Sequence, residues 1–250
     1  MGKVDHITIV MMYYESPQML GKQLEYWCAY SKDVSDRLRI VLVDDGSPKY
    51  PASDVMVADA LPDFPVNLFR ATENIIYNHS GGFNLAFTHI EDGWVLMTDM
   101  DHVMPEESLM CLLNMELDPN SVYRFSRRRM TSFEEWIPCH RHLDSIILTT
   151  DMYWKAGGFD EDFRGYCNGV SFLFRKAIER YSRQIVQLDD IYSLLFQEDV
   201  IPDSVNTLFG KKGSEYDINM DRPMYRKMMN ALKSWQKPTD YIRFTWEQVL

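Results

Sequence analysis

Apolar positions in the first hundred residues fall into short, nearly continuous runs. The runs are residues 5–14 (DHITIVMMYY), 38–44 (LRIVLVD), 66–71 (VNLFRA) and 93–99 (GWVLMTD). Segments of helix length separate them, and two of these, residues 16–31 and 78–90, have one apolar side. Apolar strands that alternate with helices are typical of a parallel sheet covered on both faces. The pattern predicts an α/β fold with a mostly parallel, Rossmann-like sheet.

The second half of the chain has weaker periodicity. It predicts helices near residues 105–116, 151–156, 169–182 and 222–236, and strands at 121–129 and 143–150. An aromatic stretch, YIRFTWEQVL, follows at residues 241–250. No repeat or obvious linker interrupts the chain. We therefore expect one main domain over residues 1–205, with an extension over residues 206–250 packed against it.

Composition narrows the class of protein. The chain has 250 residues, 46% of them hydrophobic, and a formal net charge of −11. This charge disfavours nucleic acid as a partner. No apolar run reaches the length of about 18 residues that a membrane span requires. Four scattered cysteines and the absence of a recognisable signal peptide lead us to expect a cytoplasmic protein.

Two of the predicted strands end in pairs of acids. Asp44 and Asp45 follow the second strand, and Asp99 and Asp101 follow the fourth. If the second pair is extended, its side chains share one face and repel each other unless a cation lies between them. Hard carboxylate oxygens suit Mg²⁺ or Mn²⁺, which bridge to substrate phosphates. The alternative is a pair of acids that only stabilises a turn.

Other segments carry candidate chemistry. HRHLD places His140, His142 and Asp144 on one face if it is a strand, so that His142 could join Asp101 as a metal ligand. The alternative is the polar face of an edge strand. His102 should point away from Asp101, which favours a structural role. The basic run RFSRRR (residues 124–129) either is solvated or holds an acidic ligand.

Absent motifs exclude two enzyme classes. No Gly-x-Gly-x-x-Gly follows the first strand, which disfavours a dinucleotide-dependent oxidoreductase. No phosphate-binding loop ending in Gly-Lys-Ser/Thr is present either, which disfavours a P-loop enzyme.

Taken together, VLVDDGS, NHSGGFN, VLMTDMDH and GGFDEDF resemble the motifs of nucleotide-sugar glycosyltransferases of the GT-A type, and family 2 in particular. The resemblance covers roughly residues 5–180. It implies a GT-A fold, a nucleoside diphosphate sugar as donor, with UDP the favoured carrier, and Mn²⁺ or Mg²⁺ as cofactor.

The resemblance also implies site residues. By this likeness the acceptor and catalytic loop would be residues 157–161, and the metal would be bound at Asp99 and Asp101. The residues that would contact the substrates are Tyr13, Asp44, Asp45, Asn78, Gly81, Asn84, Asp99 and Gly158. Apart from the resemblance, the HRHLD pattern adds His142 as a further metal ligand, and Trp154 could stack on a sugar ring or belong to the core.

The sequence departs from the family pattern at two places. Phe83 stands where members often carry an arginine, which removes one potential phosphate contact. Gly169 and Val170 stand where inverting members carry the acid that serves as general base. Valine cannot accept a proton, so either Asp160, Glu161 or Asp162 serves as the base, or the alignment shifts, or the transferase activity is impaired.

These observations predict a metal-dependent glycosyltransferase that moves a sugar to an acceptor hydroxyl on a glycan, a lipid-linked glycan or a protein. One alternative is a catalytically silent module that binds a sugar nucleotide, which the missing acid motivates. The other is a sugar nucleotidyltransferase. It ranks lower because YYESPQ, after the first strand, lacks the glycine-rich basic loop of those enzymes.

Overall fold

A computed structural model of the chain describes residues 1–165, 167–204, 222–233, 237–238 and 240–250, with only the backbone for residues 167–172, 222, 224 and 232. The strands are β1 Gly2–Lys3, β2 Ile7–Tyr13, β3 Leu38–Asp44, β4 Val66–Ala71, β5 Trp94–Met97, β6 His102–Val103, β7 Glu116–Leu117, β8 Val122–Met130, β9 Trp136–Cys139, β10 Ile146–Thr149, β11 Ile185–Leu195 and β12 Trp246–Gln248. The helices are α1 Pro17–Ala29, α2 Lys32–Ser35, α3 His79–Thr88, α4 Glu106–Leu113, α5 Thr150–Ala156, α6 Cys167–Tyr181 and α7 Arg222–Lys233.

A ten-stranded sheet forms the centre of the structure. Its strands follow the order β12-β4-β3-β2-β5-β10-β8-β11-β6, and β9 pairs with β8. The central strands β4, β3, β2 and β5 are parallel, as predicted from their apolar runs. The remaining pairs are antiparallel except β8 with β11, so the complete sheet is mixed. The predicted α/β class is confirmed.

Both faces of the sheet are covered. One apolar cluster contains side chains of α1 and α4 and includes the buried Trp27. The other contains side chains of α3, α5 and α6 and includes the buried Phe87 and Tyr153, whose rings stack at 3.6 Å. No helix among the described residues is long and apolar enough to cross a membrane.

The last part of the described chain joins the same sheet. β12 pairs antiparallel with β4, with Trp246 opposite Ala71. Residues 205–221, where the proposed boundary between domain and extension falls, lie outside the described residues. The two-part division therefore stays a prediction, although residues 240–250 contact the main sheet directly.

Candidate functional site

The carboxyl ends of β2, β3 and β5 lie side by side. β2 pairs in parallel with β3 on one side and with β5 on the other. The chain runs outward from β2 through β3 to β4 and then returns to β5, so strand order reverses beside β2. Ligands of open α/β sheets bind in the crevice at such a point. Asp44 ends β3 and Asp99 follows β5, so both acids lie there.

The two acids after β3 have different surroundings. Asp44 accepts backbone hydrogen bonds from Ser47 (2.8 Å) and Ala52 (2.9 Å), which stabilise the turn. Asp45 Oδ2 accepts a hydrogen bond from the backbone N–H of Asn78 at 2.8 Å. The buried Oδ1 of Asp45 has no partner among the described residues. Burial raises the pKa of Asp45 well above its ordinary value, and the nearby Asp44 carboxyl adds to this. Asp45 therefore keeps unused hydrogen-bonding capacity.

The first turn of α3 holds more polar atoms without partners. Within the described part of the chain, both side-chain amide atoms of Asn78, Nδ1 of His79 and Oγ of Ser80 are buried and unpaired. Tyr77, just before them, has φ of +46°, a conformation uncommon for residues other than glycine. Buried polar groups are normally hydrogen-bonded, so such a concentration of exceptions needs an explanation. A polar ligand at this helix terminus would supply one.

Gly81 lies directly under this group of atoms. A Cβ at this position would collide with Asn78 Oδ1 and would lie 2.7 Å from Phe244 Cε1. Only glycine therefore fits between the Asn78 amide and the Phe244 ring. Its role in substrate binding stays a prediction, and the structure shows it making room for Asn78.

Asp99 and Asp101 lie in a turn. The expectation that they share one face of an extended strand is wrong, because the His102 amide donates to the Asp99 carbonyl at 3.1 Å and reverses the chain. Asp99 approaches two imidazoles, with Oδ2 3.3 Å from His142 Nε2 and Oδ1 3.9 Å from His79 Nε2. Asp101 instead contacts its neighbour, with Oδ1 2.7 Å from His102 Nδ1.

Asp99, His102 and His142 each place one ligand atom within 4.8 Å of the others. A carboxylate and two imidazoles form a donor set for a divalent transition-metal ion. Asp101 is outside this set and holds His102 through Nδ1, which is how carboxylates orient metal-binding histidines. Arg127 NH1 lies 3.3 Å from His102 Nε2 and would compete with a cation for that nitrogen.

The charges in this cluster affect one another. Burial alone would raise the pKa of Asp99, but the nearby His79 and His142 imidazoles outweigh it and lower that pKa. Burial alone would lower the pKa of His102, but the Asp101 carboxylate raises it above its ordinary value. For His142, burial outweighs the attraction of Asp99, and its pKa is lowered. A lowered pKa keeps His142 neutral, which is the form that binds metals.

The segment HRHLD, residues 140–144, follows β9 and does not form the strand that would place its side chains on one face. β9 ends at Cys139, and the three predicted residues have separate surroundings. His140 is exposed, whereas His142 donates to or accepts from Ser145 Oγ at 3.0 Å and contacts Asp99. Asp144 pairs with Arg175 at 2.9 Å. The structure thus brings His142 alone of the three to the acidic cluster.

Asn84 organises the loop over residues 157–162. Its Oδ1 accepts hydrogen bonds from the Tyr153 hydroxyl (2.6 Å) and the Phe159 amide (3.0 Å). Its Nδ2 donates to the Phe159 carbonyl (3.0 Å) and to Glu161 Oε1 (2.8 Å). Gly158 has φ of +62°, and a Cβ there would lie 2.9 Å from Asn84 Oδ1. Both residues were predicted to contact substrate, but these contacts show them holding the loop.

The three acids of this loop differ sharply. Glu161 is buried, and its two oxygens accept from Asn84 Nδ2, the Ile242 amide (2.7 Å) and the Arg243 amide (3.0 Å). This leaves Glu161 poorly placed to act as a base, contrary to the sequence-based assignment. Asp162 pairs with Lys227 and Arg243, both at 2.7 Å, and these hydrogen bonds lower its pKa.

Asp160 is the remaining candidate for the base. Its Oδ1 accepts from the Asp162 amide at 3.0 Å, an interaction that caps the short 3-10 helix Glu161–Phe163. Partial burial raises the pKa of Asp160, and the neighbouring Asp162 adds to the effect. A carboxylate with a raised pKa is a better proton acceptor. Asp160 follows Phe159 in the chain, and the Phe159 ring lies 5.5 Å from the ring of His79. His79 in turn lies beside Asp99.

Two further predicted residues lie beside the site. Tyr13 is fully buried, and its hydroxyl donates to the Tyr50 carbonyl at 2.5 Å. Burial raises the pKa of Tyr13, so it supports the turn after β3 as a neutral donor. Trp154 packs edge-to-face with Tyr241 at 5.2 Å. A substrate contact by either side chain stays a prediction.

The basic run RFSRRR is distributed along β8. Arg128 lies between Trp136 and Tyr192, at 4.1 and 3.5 Å from the ring centroids. Arg129 pairs with Asp199 at 2.7 Å. Together with the Arg127 contact to His102, these interactions give the arginines separate structural roles.

Sequence reasoning missed two residues of the site. His79 received no role, although it stands between Asn78 and Ser80 in the segment already singled out. His102 was assigned a structural role because an extended chain would turn it away from Asp101. The signal that could have corrected this was its position directly after two acids, where a turn brings neighbours together.

The helix-covered mixed sheet matches the GT-A glycosyltransferase fold. The family model described as Glycosyl transferase family 2 matches residues 8–181. The chain belongs to this family, as its motifs predicted. A sequence search of curated proteins gives no match.

Solved structures show the same fold. TarS from S. aureus, in complex with UDP-GlcNAc, is 14% identical, with a TM-score of 0.64 over 92% of this chain and 66% of that one. The mannosyltransferase PcManGT from Pyrobaculum calidifontis, with GDP-Man and Mn²⁺, is 18% identical, with a TM-score of 0.58 over 76% and 56%. GalNAc-T7, with UDP, GalNAc and Mn²⁺, is 11% identical, with a TM-score of 0.57 over 79% and 45%. The chain thus spans less than two thirds of each of these structures.

Proposed function

We propose that this protein transfers a sugar from a nucleoside diphosphate sugar to an acceptor hydroxyl, with UDP as the favoured carrier. The observation that carries the proposal is the group of unpaired buried polar atoms on Asp45, Asn78, His79 and Ser80 at the crevice. By the resemblance of its motifs to the family, this is where a donor would bind. The relatives solved with UDP-GlcNAc or GDP-Man support the ligand class.

The donor would lie across the ends of the strands. Asp45 Oδ1 would accept a hydrogen bond from an N–H of the nucleobase. The side-chain amide of Asn78 would make a further hydrogen bond to the nucleoside. The first turn of α3 would face the diphosphate, because a helix N-terminus and its free N–H groups favour anions. His79 and Ser80 would add side-chain donors there.

A divalent cation would be held by Asp99, His102 and His142, whose spacing fits one ion. When bound, it would stabilise the negative charge on the departing diphosphate. Two imidazoles favour Mn²⁺ over Mg²⁺, since Mg²⁺ prefers oxygen ligands. Asp101 would orient His102, and Ser145 would orient His142.

Asp160 would accept the proton of the acceptor hydroxyl. Of the three loop acids it has neither the buried hydrogen-bond network of Glu161 nor the ion pairs of Asp162. The acceptor class stays open among a glycan, a lipid-linked glycan and a protein.

Calorimetry of UDP and GDP, with and without Mn²⁺, tests the donor site. We expect one nucleotide to bind wild type in a Mn²⁺-dependent manner. Asp45→Asn, which keeps the shape but puts an NH₂ donor where the unpaired Oδ1 acceptor stands, should weaken binding about tenfold or more. Asp99→Asn should remove the Mn²⁺ dependence. Asp33→Asn, on the short helix α2, serves as the control and should bind like wild type.

If neither nucleotide binds the folded wild-type protein, the proposal is wrong. A nucleotide that binds equally well to wild type and Asp45→Asn would place the ligand elsewhere. Release of free UDP or GDP from UDP-GlcNAc or GDP-Man then distinguishes an enzyme from a silent module.

The second candidate function is a catalytically silent module that binds a sugar nucleotide, and the contacts of the loop acids favour it. Two of the three loop acids are held in structural contacts, so Asp160 alone would have to provide the base in this loop. If donor binds but neither hydrolysis nor transfer occurs with any acceptor tried, the second candidate replaces the first.

A further inference from the structure

We propose that residues 240–244 are a positioning element of the active site, and that Glu161 is the residue through which they act. This inference rests on the proposed function. It concerns a segment that lies outside the family match at residues 8–181. The segment nevertheless makes four hydrogen bonds to the loop that carries Asp160.

The central contact is between one carboxylate and two successive amides. Glu161 Oε1 accepts from the Ile242 N–H at 2.7 Å, and Oε2 accepts from the Arg243 N–H at 3.0 Å. Successive backbone N–H groups that converge in this way form an anion-binding concavity. Here the anion is a side chain of the protein itself. The Glu161 side chain is 0% exposed, so these donors compensate the burial of its charge.

The backbone of the segment is shaped for this contact. Ile242 has φ of +60°, a conformation that β-branched residues rarely adopt. Such a conformation persists only where its surroundings impose it, and it often marks a functional position. At this residue it directs two consecutive N–H groups to the same carboxylate.

Flanking contacts attach the segment to both sides of the loop. The Tyr241 hydroxyl lies 2.8 Å from the Gly157 carbonyl and 2.6 Å from the Pro238 carbonyl, so the two carbonyls share its single proton. Arg243 NH1 donates to Asp162 at 2.7 Å. Arg164 NH1 donates back to the Arg243 carbonyl at 3.0 Å. The loop from Gly157 to Arg164 is therefore held at its start, middle and end.

Asp160 stands directly before Glu161, so the position of Glu161 sets the position of the candidate base. A base must lie within hydrogen-bond reach of the proton that it accepts, and a misplacement of about 1 Å can cost about 100-fold in rate. Glu161 does not itself touch the reacting atoms in this scheme. It fixes Asp160, and the segment fixes Glu161.

A pair of substitutions at one position tests the proposal. Ile242→Gly loses the packing of the side chain, but it keeps the amide and adopts a positive φ without strain, so the contact with Glu161 should persist and turnover should stay well above that of Ile242→Pro. Ile242→Pro removes the N–H and fixes φ near −65°, so it should break the contact. We expect Ile242→Pro to lower nucleoside diphosphate release about 10- to 100-fold, with donor affinity unchanged. The probes are UDP-GlcNAc and GDP-Man with Mn²⁺.

Glu161→Gln provides a second variant if Ile242→Pro does not fold. It replaces one acceptor oxygen by an NH₂ group that faces a donor, and it should give the same selective loss of turnover. The apparent pKa of the acid limb of the pH–rate profile should also change, because Asp160 shifts. A merely structural role would lower the amount of folded enzyme without moving that pKa.

Hydrogen exchange of the full-length protein supplies a readout without substrate. Amides of residues 157–164 should exchange faster in Ile242→Pro and Glu161→Gln than in wild type and Ile242→Gly. Similar turnover and exchange in all folded variants would overturn the inference. Failure of the proposed function is a different result, in which wild type binds no nucleotide while the exchange difference persists.

Discussion

The crevice holds two regions that differ in how their polar groups are used. At the first turn of α3 and the end of β3, buried atoms of Asp45, Asn78, His79 and Ser80 lack partners among the described residues. In the loop over residues 157–162, Asn84 makes four hydrogen bonds and Glu161 accepts three. The first region leaves buried hydrogen-bonding groups without protein partners, as the proposed donor site requires, whereas the polar groups of the second region bind one another. Two asparagines of one helix segment thus have opposite roles.

The largest effect on stability should come from Asn84→Ala. The substitution removes four buried hydrogen bonds, one of them to the charged Glu161, and should lower the free energy of unfolding by about 3–5 kcal/mol. Urea denaturation measures this. A loss below about 1 kcal/mol would contradict the contrast between the two regions.

Asp160→Asn should abolish the catalytic function of the loop while leaving its fold intact. Turnover should fall about 100-fold or more. In wild type, turnover should rise with pH as Asp160 loses its proton. Because burial raises this pKa, the acid limb should lie above the ordinary aspartate value of about 3.9. A pH–rate profile tests both points, and an unchanged acid limb in Asp160→Asn would assign the base elsewhere.

Asn78→Ala is the counterpart of Asn84→Ala. Its side-chain amide makes no hydrogen bond with the described residues, so the free energy of unfolding should change by about 0.5 kcal/mol or less. Nucleotide affinity should fall about tenfold. Calorimetry and urea denaturation of the same sample show whether nucleotide affinity falls while the free energy of unfolding stays nearly unchanged. A large loss of stability would remove the distinction between the two asparagines.

Asp162→Asn should lower the stability of the fold only slightly. Its side chain is 41% exposed, and its ion pairs with Lys227 and Arg243 are partly screened by water. We expect a change of about 1 kcal/mol or less at neutral pH. The lowered pKa of Asp162 means that this contribution is present above its unfolded pKa and is lost as pH falls through the folded pKa. Denaturation at two pH values checks the sign.

The sequence predicted the parallel centre of the sheet because strands buried on both faces leave nearly continuous apolar runs, as in β2 and β3. It did not predict β11, where Asp189 and Asp190 interrupt the pattern at a shift in register. It also missed β12, which has three exposed residues and no apolar signal. A strand that is buried on both faces has an apolar run that local sequence shows. The pairing of a strand at the edge of the sheet leaves no such pattern.

The same limit applies to the site. The acids at strand ends were visible, since chain direction brings the ends of parallel strands together. The turn at Asp99 was not visible in the sequence, because it depends on one hydrogen bond from the backbone N–H of His102 to the Asp99 carbonyl. The structural role of Glu161 was hidden as well. Its amide partners come from Ile242 and Arg243, far away in the sequence, so no local pattern marks it.

The pairing of β12 with β4 has a consequence for the order of folding. The hydrogen bond between the Thr72 and Thr245 hydroxyls joins residues 173 positions apart. Contacts between such distant positions require closure of a long loop, and they form late in slowly folding topologies. The parallel strands should therefore assemble first, and the segment beside the catalytic loop should dock afterwards. In a refolding experiment, nucleotide binding should return before turnover does.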